Sequence, residues 1–151
     1  GFLLNNELTD FSFSPEHNGV PVANRIEPNK RPRSSMAPIM VLENDQPLLI
    51  IGSPGGSSII GYVLQSVINI LDWGMTPQQA VSQAHIIHRG GDLELESRGI
   101  NLALAPALQA LGFTTRFTEL NSGLHAIMLQ PKQLIGAADP RREGVALAAD
   151  E

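Results

Sequence analysis

The sequence contains no cysteine, which excludes disulfides, a thiol nucleophile and a cysteine-rich zinc site. It has no basic stripe either. Its 15 acidic and 10 basic side chains give a formal net charge of −5, so nucleic acid is not an expected partner. The longest apolar stretch is interrupted by Gln65, Ser66 and Asn69, so we expect no membrane contact by a spanning segment. Aromatic residues amount to 5%, too few for a base-stacking surface.

The composition that remains is that of a folded protein. The chain has 151 residues, of which 42% are hydrophobic and 17% charged, enough for one domain with a core. It begins with Gly1 rather than methionine, and residues 1–4 are typical of the start of a strand. No charged segment of a signal peptide precedes them. We therefore expect a cleavage product or the ordered part of a longer chain.

The first half of the chain predicts a loop, a hairpin and two helices. Residues 13–33 carry four prolines and indicate a loop, and residues 38–52 form a hairpin around the turn pair Asn44-Asp45. Apolar spacing predicts a helix from Ile59 to Leu71, capped by Ser57 or Ser58 and ended by Gly74. A capping box at Thr76 starts a second helix, which runs to about Ala84.

The second half is predicted to be mostly extended. Residues 86–96 form short extended segments, and Pro106 starts a brief helix that ends at Gly112. Three strands are expected to close the chain, at residues 113–117, 125–129 and 133–137. The fold class is α+β, with helices stacked on an antiparallel or mixed sheet.

The sequence Gly52-Ser53-Pro54-Gly55-Gly56-Ser57 joins a buried strand to a helix. Gly55 and Gly56 let the backbone approach a ligand closely, and their N–H groups lie near the positive end of the helix. This arrangement suits a bound anion or an oxyanion that develops during a reaction. A tight turn that binds nothing is the alternative.

Two further segments could bind the charged groups of an amino acid. Glu7 and Asp10 lie three residues apart and could hold a cationic amino group, or they could form a solvated turn. The tandem Ser34-Ser35 could bind a carboxylate, or it could belong to a stiff loop that enters a strand. His85 and His88 are poor candidates for a metal site, because positions 85 and 88 of a strand face opposite sides.

Four segments together resemble the small subunit of the γ-glutamyltransferase (γ-glutamyltranspeptidase) family, over essentially the whole chain. They are Leu4-Asn5-Asn6-Glu7-x-x-Asp10-Phe11, Asn29-Lys30-Arg31-Pro32-x-Ser34-Ser35-Met36-x-Pro38, Gly52-Ser53-Pro54-Gly55-Gly56-Ser57 and Ala138-Asp139-Pro140-Arg141. The resemblance implies an N-terminal nucleophile hydrolase, with a four-layer αββα sandwich and a precursor that cuts itself into two subunits. It implies attack by an N-terminal threonine on the γ-glutamyl group of glutathione and related compounds. The acyl group then passes to water, an amino acid or a peptide.

The resemblance also assigns roles to residues. It implies that Glu7 and Asp10 hold the α-amino group of the glutamyl moiety and that Ser34 and Ser35 help to bind its α-carboxylate. It implies that the amides of Gly55 and Gly56 form the oxyanion hole. Thr9 and Ala37 depart from the residues that are common in the family, but neither stands at an assigned position. No cofactor or metal is implied.

The same resemblance implies that this chain is the C-terminal part of a small subunit. The nucleophilic threonine would precede residue 1, and the large subunit of the same precursor would supply an arginine for the substrate carboxylate. We therefore expect residues 1–151 alone to be inactive and, with apolar faces uncovered, to self-associate. The alternatives are a related glutaryl or cephalosporin acylase and a truncated, non-catalytic homologue. Bacterial members imply a periplasmic or extracellular location.

Overall fold

The computed structural model describes residues 4–147, so most of the strand expected at residues 1–4 lies outside the described residues. The chain divides into two compact units, Gly1–Ser35 and Met36–Glu151. Within the described residues, no helix combines the length and the apolar character needed to cross a membrane.

The first unit is built from short elements. A 3₁₀ turn spans Glu7–Asp10, and strands β1 (Glu16–His17) and β2 (Val20–Pro21) form a small antiparallel hairpin. Asn18 and Gly19 connect these strands with φ angles of 51° and 74°, the left-handed conformation that two-residue hairpin turns require. The loop predicted for residues 13–33 therefore contains a hairpin that the proline content obscured.

Over its described residues, 36–147, the second unit holds two sheets and three α-helices. In chain order its elements are β3 (Ile39–Glu43), β4 (Gln46–Gly52), α1 (Ile59–Leu71), α2 (Pro77–Ser82), β5 (Ile86–His88), β6 (Leu93–Glu96), α3 (Asn101–Ala110), β7 (Thr115–Thr118), β8 (His125–Gln130) and β9 (Gln133–Ala138). One sheet is antiparallel with the order β3-β4-β8-β9, and the other is mixed with the order β5-β6-β7. The predicted hairpin, the extended segments at 86–96 and the three closing strands are all confirmed, within two residues at their ends.

The inner face of the four-stranded sheet forms the core with the helices. Leu49 and Ile51 of β4 are buried, as are Ala126 of β8 and Ala137 of β9. They share one cluster with apolar residues of α1 and α2, namely Ile59, Tyr62, Val63, Ile70, Ala80 and Val81. Burial of this face fixes the register of the strands, because a slip by one residue would turn these side chains to the opposite side.

The outer face of the same sheet is also apolar but is exposed. Met40 pairs with Ile50, and Ile50 pairs with Ile127 on the next strand, so the three form a continuous outer stripe. Their exposed fractions are 57%, 37% and 46%. A sheet with apolar residues on both faces is typical of a layer that another layer covers.

The two central helices begin differently. The capping box at Thr76 is confirmed, because its side chain accepts from the Gln79 amide while the Gln79 side chain accepts from the Thr76 amide. The predicted serine cap of α1 is wrong. Gly56–Ser58 form a 3₁₀ turn that continues into the helix, and Ser58 has helical backbone angles rather than the extended ones of a cap. Helix α1 ends at Leu71, and α2 ends at Ser82, before the predicted Ala84.

Helix α3 starts earlier than predicted, and Pro106 lies inside it rather than at its start. The reason is a contact between distant parts of the chain. The side-chain amide of Asn101 donates to the backbone carbonyls of His85 and Glu96, at 2.8 and 3.1 Å, and so fixes the first residue of the helix. Gly99, with a φ of 58°, makes the turn that precedes it.

Candidate active site

The loop between β4 and α1 has a backbone that only glycine adopts easily. Gly55 has a φ of 137° and Gly56 a φ of 57°. A Cβ atom on Gly55 would lie 2.6 Å from Cε2 of Tyr62, which is itself buried beneath the loop. Steric space and backbone angle therefore both require glycine at position 55.

The same two glycines present unused backbone donors. Within residues 4–147, the N–H groups of Gly55 and Gly56 donate to no backbone carbonyl. They precede α1, where the first amides of a helix lack partners and the helix dipole is positive. Such a pair of amides can bind an anion or stabilise an oxyanion.

The loop between β7 and β8 contacts the segment that carries this glycine pair. The Gly123 amide donates to Oγ of Ser53 over 3.1 Å, and the Ser53 hydroxyl donates to the Pro54 carbonyl over 2.6 Å. The two loops also touch directly, because a Cβ atom on Gly123 would lie 2.7 Å from Cγ of Pro54. The glycine pair is thus held by contacts with residues some 70 positions away in the chain.

Behind these loops lies a buried ion-pair network centred on Arg141. Its guanidinium donates to Oδ1 of Asp139 at 2.8 Å and to both carboxylate oxygens of Glu96, at 2.8 and 2.7 Å. The three side chains are 7%, 0% and 8% exposed. Arg141 also donates to the carbonyls of Val81 and Gln83, at the end of α2. The network therefore joins β6 and α2 to the segment that follows β9.

Asp139 is also linked to a buried serine and histidine. The Ser122 hydroxyl donates to Oδ2 of Asp139 over 2.5 Å, and Nε2 of His85 lies 2.8 Å from Oγ of Ser122. Because Ser122 gives its single proton to the carboxylate, His85 must donate to Ser122, so Nε2 carries a proton. A catalytic triad needs the histidine to accept the serine proton, so this buried set is not a nucleophilic site.

Burial, together with the charges and hydrogen bonds of the network, shifts the pKa values of its members. Burial lowers the pKa of His85 to about 4, and the positive charge of Arg141 acts in the same direction. Burial would raise the pKa of Glu96, but hydrogen bonds from Arg141 and from the His85 amide hold it below its ordinary value. Hydrogen bonds from Ser122 and Arg141 likewise outweigh burial and lower the pKa of Asp139.

Acid is therefore expected to destabilise the protein over a pH range that is set by the lowered pKa of His85. Its pKa is about 4 when folded and near 6.5 when unfolded, so between these values the unfolded chain binds more protons. The free energy of unfolding should fall by about 3 kcal/mol as the pH drops from 6.5 to 4. Urea denaturation at a series of pH values measures this slope. Glu96 and Asp139 add their own loss only below the pKa of an unfolded carboxyl group.

The substitution His85→Gln should remove the slope between pH 6.5 and 4. His17→Gln, at an exposed histidine of the first unit, should leave it in place. A slope of the same size in H85Q would contradict the assignment of this window to His85.

The first unit contains the predicted acidic pair in one short turn. Glu7 and Asp10 are the first and last residues of the 3₁₀ turn, and both are partly buried. Oε1 of Glu7 is shielded from solvent and has no hydrogen-bond partner within the described part of the chain. A shielded carboxylate oxygen without a partner is suited to receive a cationic ligand.

The first unit also links the acidic turn to the segment that carries the two serines. Nδ2 of Asn24 donates to the Asp10 carbonyl over 2.7 Å, and its Oδ1 accepts from the Arg33 amide over 2.9 Å. Arg33 directly precedes Ser34, which is exposed, and Ser35, which is half-buried. The sequence did not single out Asn24, since its role depends on partners that lie 14 and 9 residues away.

The two histidines considered for metal binding are separated by their environments. His85 is buried in the network, whereas His88 is exposed and its Nε2 lies 3.0 Å from the Gly91 carbonyl. Among residues 4–147, no three histidine or carboxylate side chains are grouped to hold a metal ion.

Comparison with known proteins identifies the family. The family model described as Gamma-glutamyltranspeptidase matches residues 1–149. The glutathione hydrolase proenzyme of Escherichia coli (strain K12) is 38% identical, over 93% of this chain and 26% of that protein. An Acylase ACY 1 proenzyme of Pseudomonas sp. (strain SE83) is 36% identical, over 98% of this chain and 26% of that protein.

A solved structure agrees in fold. A mutant of Helicobacter pylori gamma-glutamyltranspeptidase superposes with a TM-score of 0.80 and 38% identity, over 94% of this chain and 82% of that chain. This match confirms the expected fold class, that of an N-terminal nucleophile hydrolase. The chain spans about a quarter of the length of the curated relatives that it matches. It belongs to the gamma-glutamyltranspeptidase family of enzymes.

Proposed function

We propose that the complete enzyme containing this chain transfers or hydrolyses the γ-glutamyl group of glutathione and related compounds. The observation that carries the proposal is the pair of unused amides at Gly55 and Gly56, held in a conformation that glycine alone adopts easily. Membership of the gamma-glutamyltranspeptidase family supports the choice of acyl group.

The predicted oxyanion hole acts in both halves of this reaction. The hydroxyl of the small subunit's N-terminal threonine, which is not among residues 1–151, attacks the γ-carbonyl carbon, and the carbonyl oxygen becomes an oxyanion that the Gly55 and Gly56 amides stabilise. The C–N bond then breaks, the amine leaves with a proton, and a glutamyl ester remains on the threonine. Water or an amine attacks this ester through a second oxyanion at the same amides. The ester C–O bond then breaks, the γ-glutamyl product leaves, and a proton from the attacking group returns to the threonine oxygen. Losing one such donor typically costs about 3–4 kcal/mol of transition-state stabilisation.

The acids and serines of the first unit would hold the glutamyl moiety at its α-carbon. Glu7 and Asp10 supply negative charge for the ammonium group, and the shielded oxygen of Glu7 lacks any other described partner. The hydroxyls of Ser34 and Ser35 donate to the α-carboxylate. Charge-assisted hydrogen bonds of this kind are stronger than neutral ones, which gives selectivity for an amino-acid-like acyl group.

The active species is proposed to include more than residues 1–151. The large subunit of the same precursor and the N-terminal threonine of the small subunit complete the site, in a periplasmic or extracellular enzyme. The names of the relatives as proenzymes support a processed precursor. The 151-residue chain by itself is then inactive, and turnover by this polypeptide alone would contradict the proposal.

Asp10→Asn in the full gene product tests the role of the acidic turn. The change removes the negative charge that faces the ammonium group but keeps the size of the side chain. A hydrogen bond to a charged group is worth about 1.5–3 kcal/mol, so kcat/KM for a γ-glutamyl anilide should fall roughly 10- to 150-fold. The value for a glutaryl anilide, which lacks the amino group, should change little.

Asp45→Asn is the matched control, because Asp45 is an exposed acid in the β3–β4 turn and asparagine tolerates its φ of 60°. It should leave both substrates unaffected. The 36% identity to an acylase supports a second candidate, an acylase for glutaryl-type side chains. Equal turnover of both anilides by the unsubstituted enzyme would favour that acylase. Glutamate binding without turnover would favour a non-catalytic homologue.

A further inference from the structure

A single side chain joins the two substrate-binding segments proposed for the first unit. Asn24 lies between β2 and the Ser34-Ser35 segment, and it is partly buried. Its Nδ2 donates to the Asp10 carbonyl at 2.7 Å, and its Oδ1 accepts from the Arg33 amide at 2.9 Å. Both partners are backbone atoms, so the contacts fix where the chain runs rather than how a side chain rotates.

The backbone of Asn24 is anchored as well. The Ser12 amide donates to the Asn24 carbonyl over 2.9 Å, and Ser12 forms an isolated parallel bridge with Arg25. The strand-like pairing thus begins two residues after Asp10 and holds Asn24 against it. Asn24 cannot move without moving the end of the acidic turn.

The asparagine side chain can make both contacts at once. The asparagine amide carries a donor and an acceptor in one short planar group, whereas aspartate keeps the acceptor alone and alanine has neither. The two hydrogen bonds have normal lengths, so the side chain spans the gap between Asp10 and Arg33 without strain.

We propose that Asn24 is a positioning residue that sets the separation between the acidic turn (Glu7 and Asp10) and the serines (Ser34 and Ser35). The inference rests on the proposed function, since it assumes that these segments bind the two charged groups of the glutamyl moiety. Those groups share one carbon atom, so the distance between their binding sites has little tolerance. A misplacement of about 1 Å can cost up to about 100-fold in rate.

Assays of the full gene product with three anilide substrates distinguish an effect on substrate positioning from a loss of folded enzyme. The γ-glutamyl anilide carries both α-groups, the glutaryl anilide lacks the ammonium group, and the 4-aminobutanoyl anilide lacks the carboxylate. The readout is the kcat/KM of the first divided by that of each analogue. Loss of folded enzyme lowers all three values by one factor and leaves both ratios unchanged.

Asn24→Ala breaks both contacts, so both ratios should fall by about tenfold or more. Asn24→Asp keeps the acceptor for Arg33 but places an oxygen against the Asp10 carbonyl. It should lower mainly the ratio to the glutaryl anilide. Glu27→Gln is the matched control, because within residues 4–147 the Glu27 carboxylate forms its ion pairs with Arg25 and Lys30 of the same loop and with neither segment. It should leave both ratios unchanged.

The outcomes distinguish the two proposals. If the unsubstituted enzyme turns over none of the anilides, the proposed function fails. It also fails if the enzyme turns over the glutaryl anilide as well as the γ-glutamyl anilide. If it is selective but Asn24→Ala keeps both ratios, the positioning role is overturned and the proposed function stands. An equal fall in E27Q would also overturn it, because the effect would then belong to the loop as a whole. Should N24A give no mature enzyme, the ratios of N24D decide.

Discussion

Replacing Arg141 by methionine is expected to lower the free energy of unfolding by about 3–5 kcal/mol, the usual cost of removing one partner of a buried ion pair. The guanidinium neutralises two carboxylates that are almost fully buried, Asp139 and Glu96, and it also satisfies two backbone carbonyls. Methionine fills similar space but leaves both charges without their main cation. Arg98 contacts Glu96 and is itself partly exposed, so it compensates only in part.

Chemical denaturation of the unsubstituted protein and of R141M at neutral pH measures the difference. The neighbouring Arg142→Met is the matched control, because Arg142 is exposed and, within residues 4–147, its guanidinium donates only to the carbonyls of Asn121 and Ser122. Its effect should be well below that of R141M. The difference between R141M and the unsubstituted protein should shrink in acid, where both carboxyls can be protonated. Equal losses for the two arginines would contradict the importance of the buried network.

Gly55→Ala is expected to lower kcat/KM for a γ-glutamyl anilide by about 100- to 1000-fold, the range typical of losing an oxyanion donor. The added methyl group would lie 2.6 Å from Cε2 of Tyr62, and alanine disfavours a φ of 137°. The loop must therefore move, and the amides of Gly55 and Gly56 move with it. This expectation depends on the proposed function, which the unsubstituted enzyme tests in the same assay.

Gly52→Ala provides the control at the last residue of β4, three positions before Gly55. A Cβ atom on Gly52 would meet nothing within 4 Å, and its φ lies outside the left-handed region. Its activity should stay close to that of the unsubstituted enzyme. Intact mass under denaturing conditions shows whether each variant has matured, so a failure of processing is separated from slow chemistry. Normal activity in mature G55A would contradict the oxyanion assignment.

The features that could be predicted from sequence are those whose signal is local. The capping box at Thr76 and the turn at Asn44-Asp45 place their own hydrogen bonds or backbone angles within a few residues. The glycine loop is similar, since Gly55 and Gly56 directly follow a strand and precede a helix. Family resemblance added roles for the acids and serines that the residues alone left open.

The features that were missed depend on distant partners. Helix α3 starts at Asn101 because of contacts with residues 85 and 96, and the residue pattern pointed instead to Pro106. The sequence predicted extended segments at residues 86–96, but it did not predict that Glu94 and Glu96 are both buried. Glu96 is buried because Arg141, 45 residues further on, pairs with it. The segment around Asp139 and Arg141 was one of the four that carried the resemblance, yet nothing local revealed its network.

The outer stripe of Met40, Ile50 and Ile127 has a calorimetric consequence for the assembled enzyme. Removing an apolar face from water lowers the heat capacity, and the driving force for such burial weakens on cooling. Any layer that covers this stripe is therefore held less tightly at low temperature than at the temperature at which the enzyme works. In contrast, the ion pairs inside the second unit depend mainly on pH. Cooling should therefore weaken the contact between this sheet and the layer that covers it. Acid should instead destabilise the fold of the second unit.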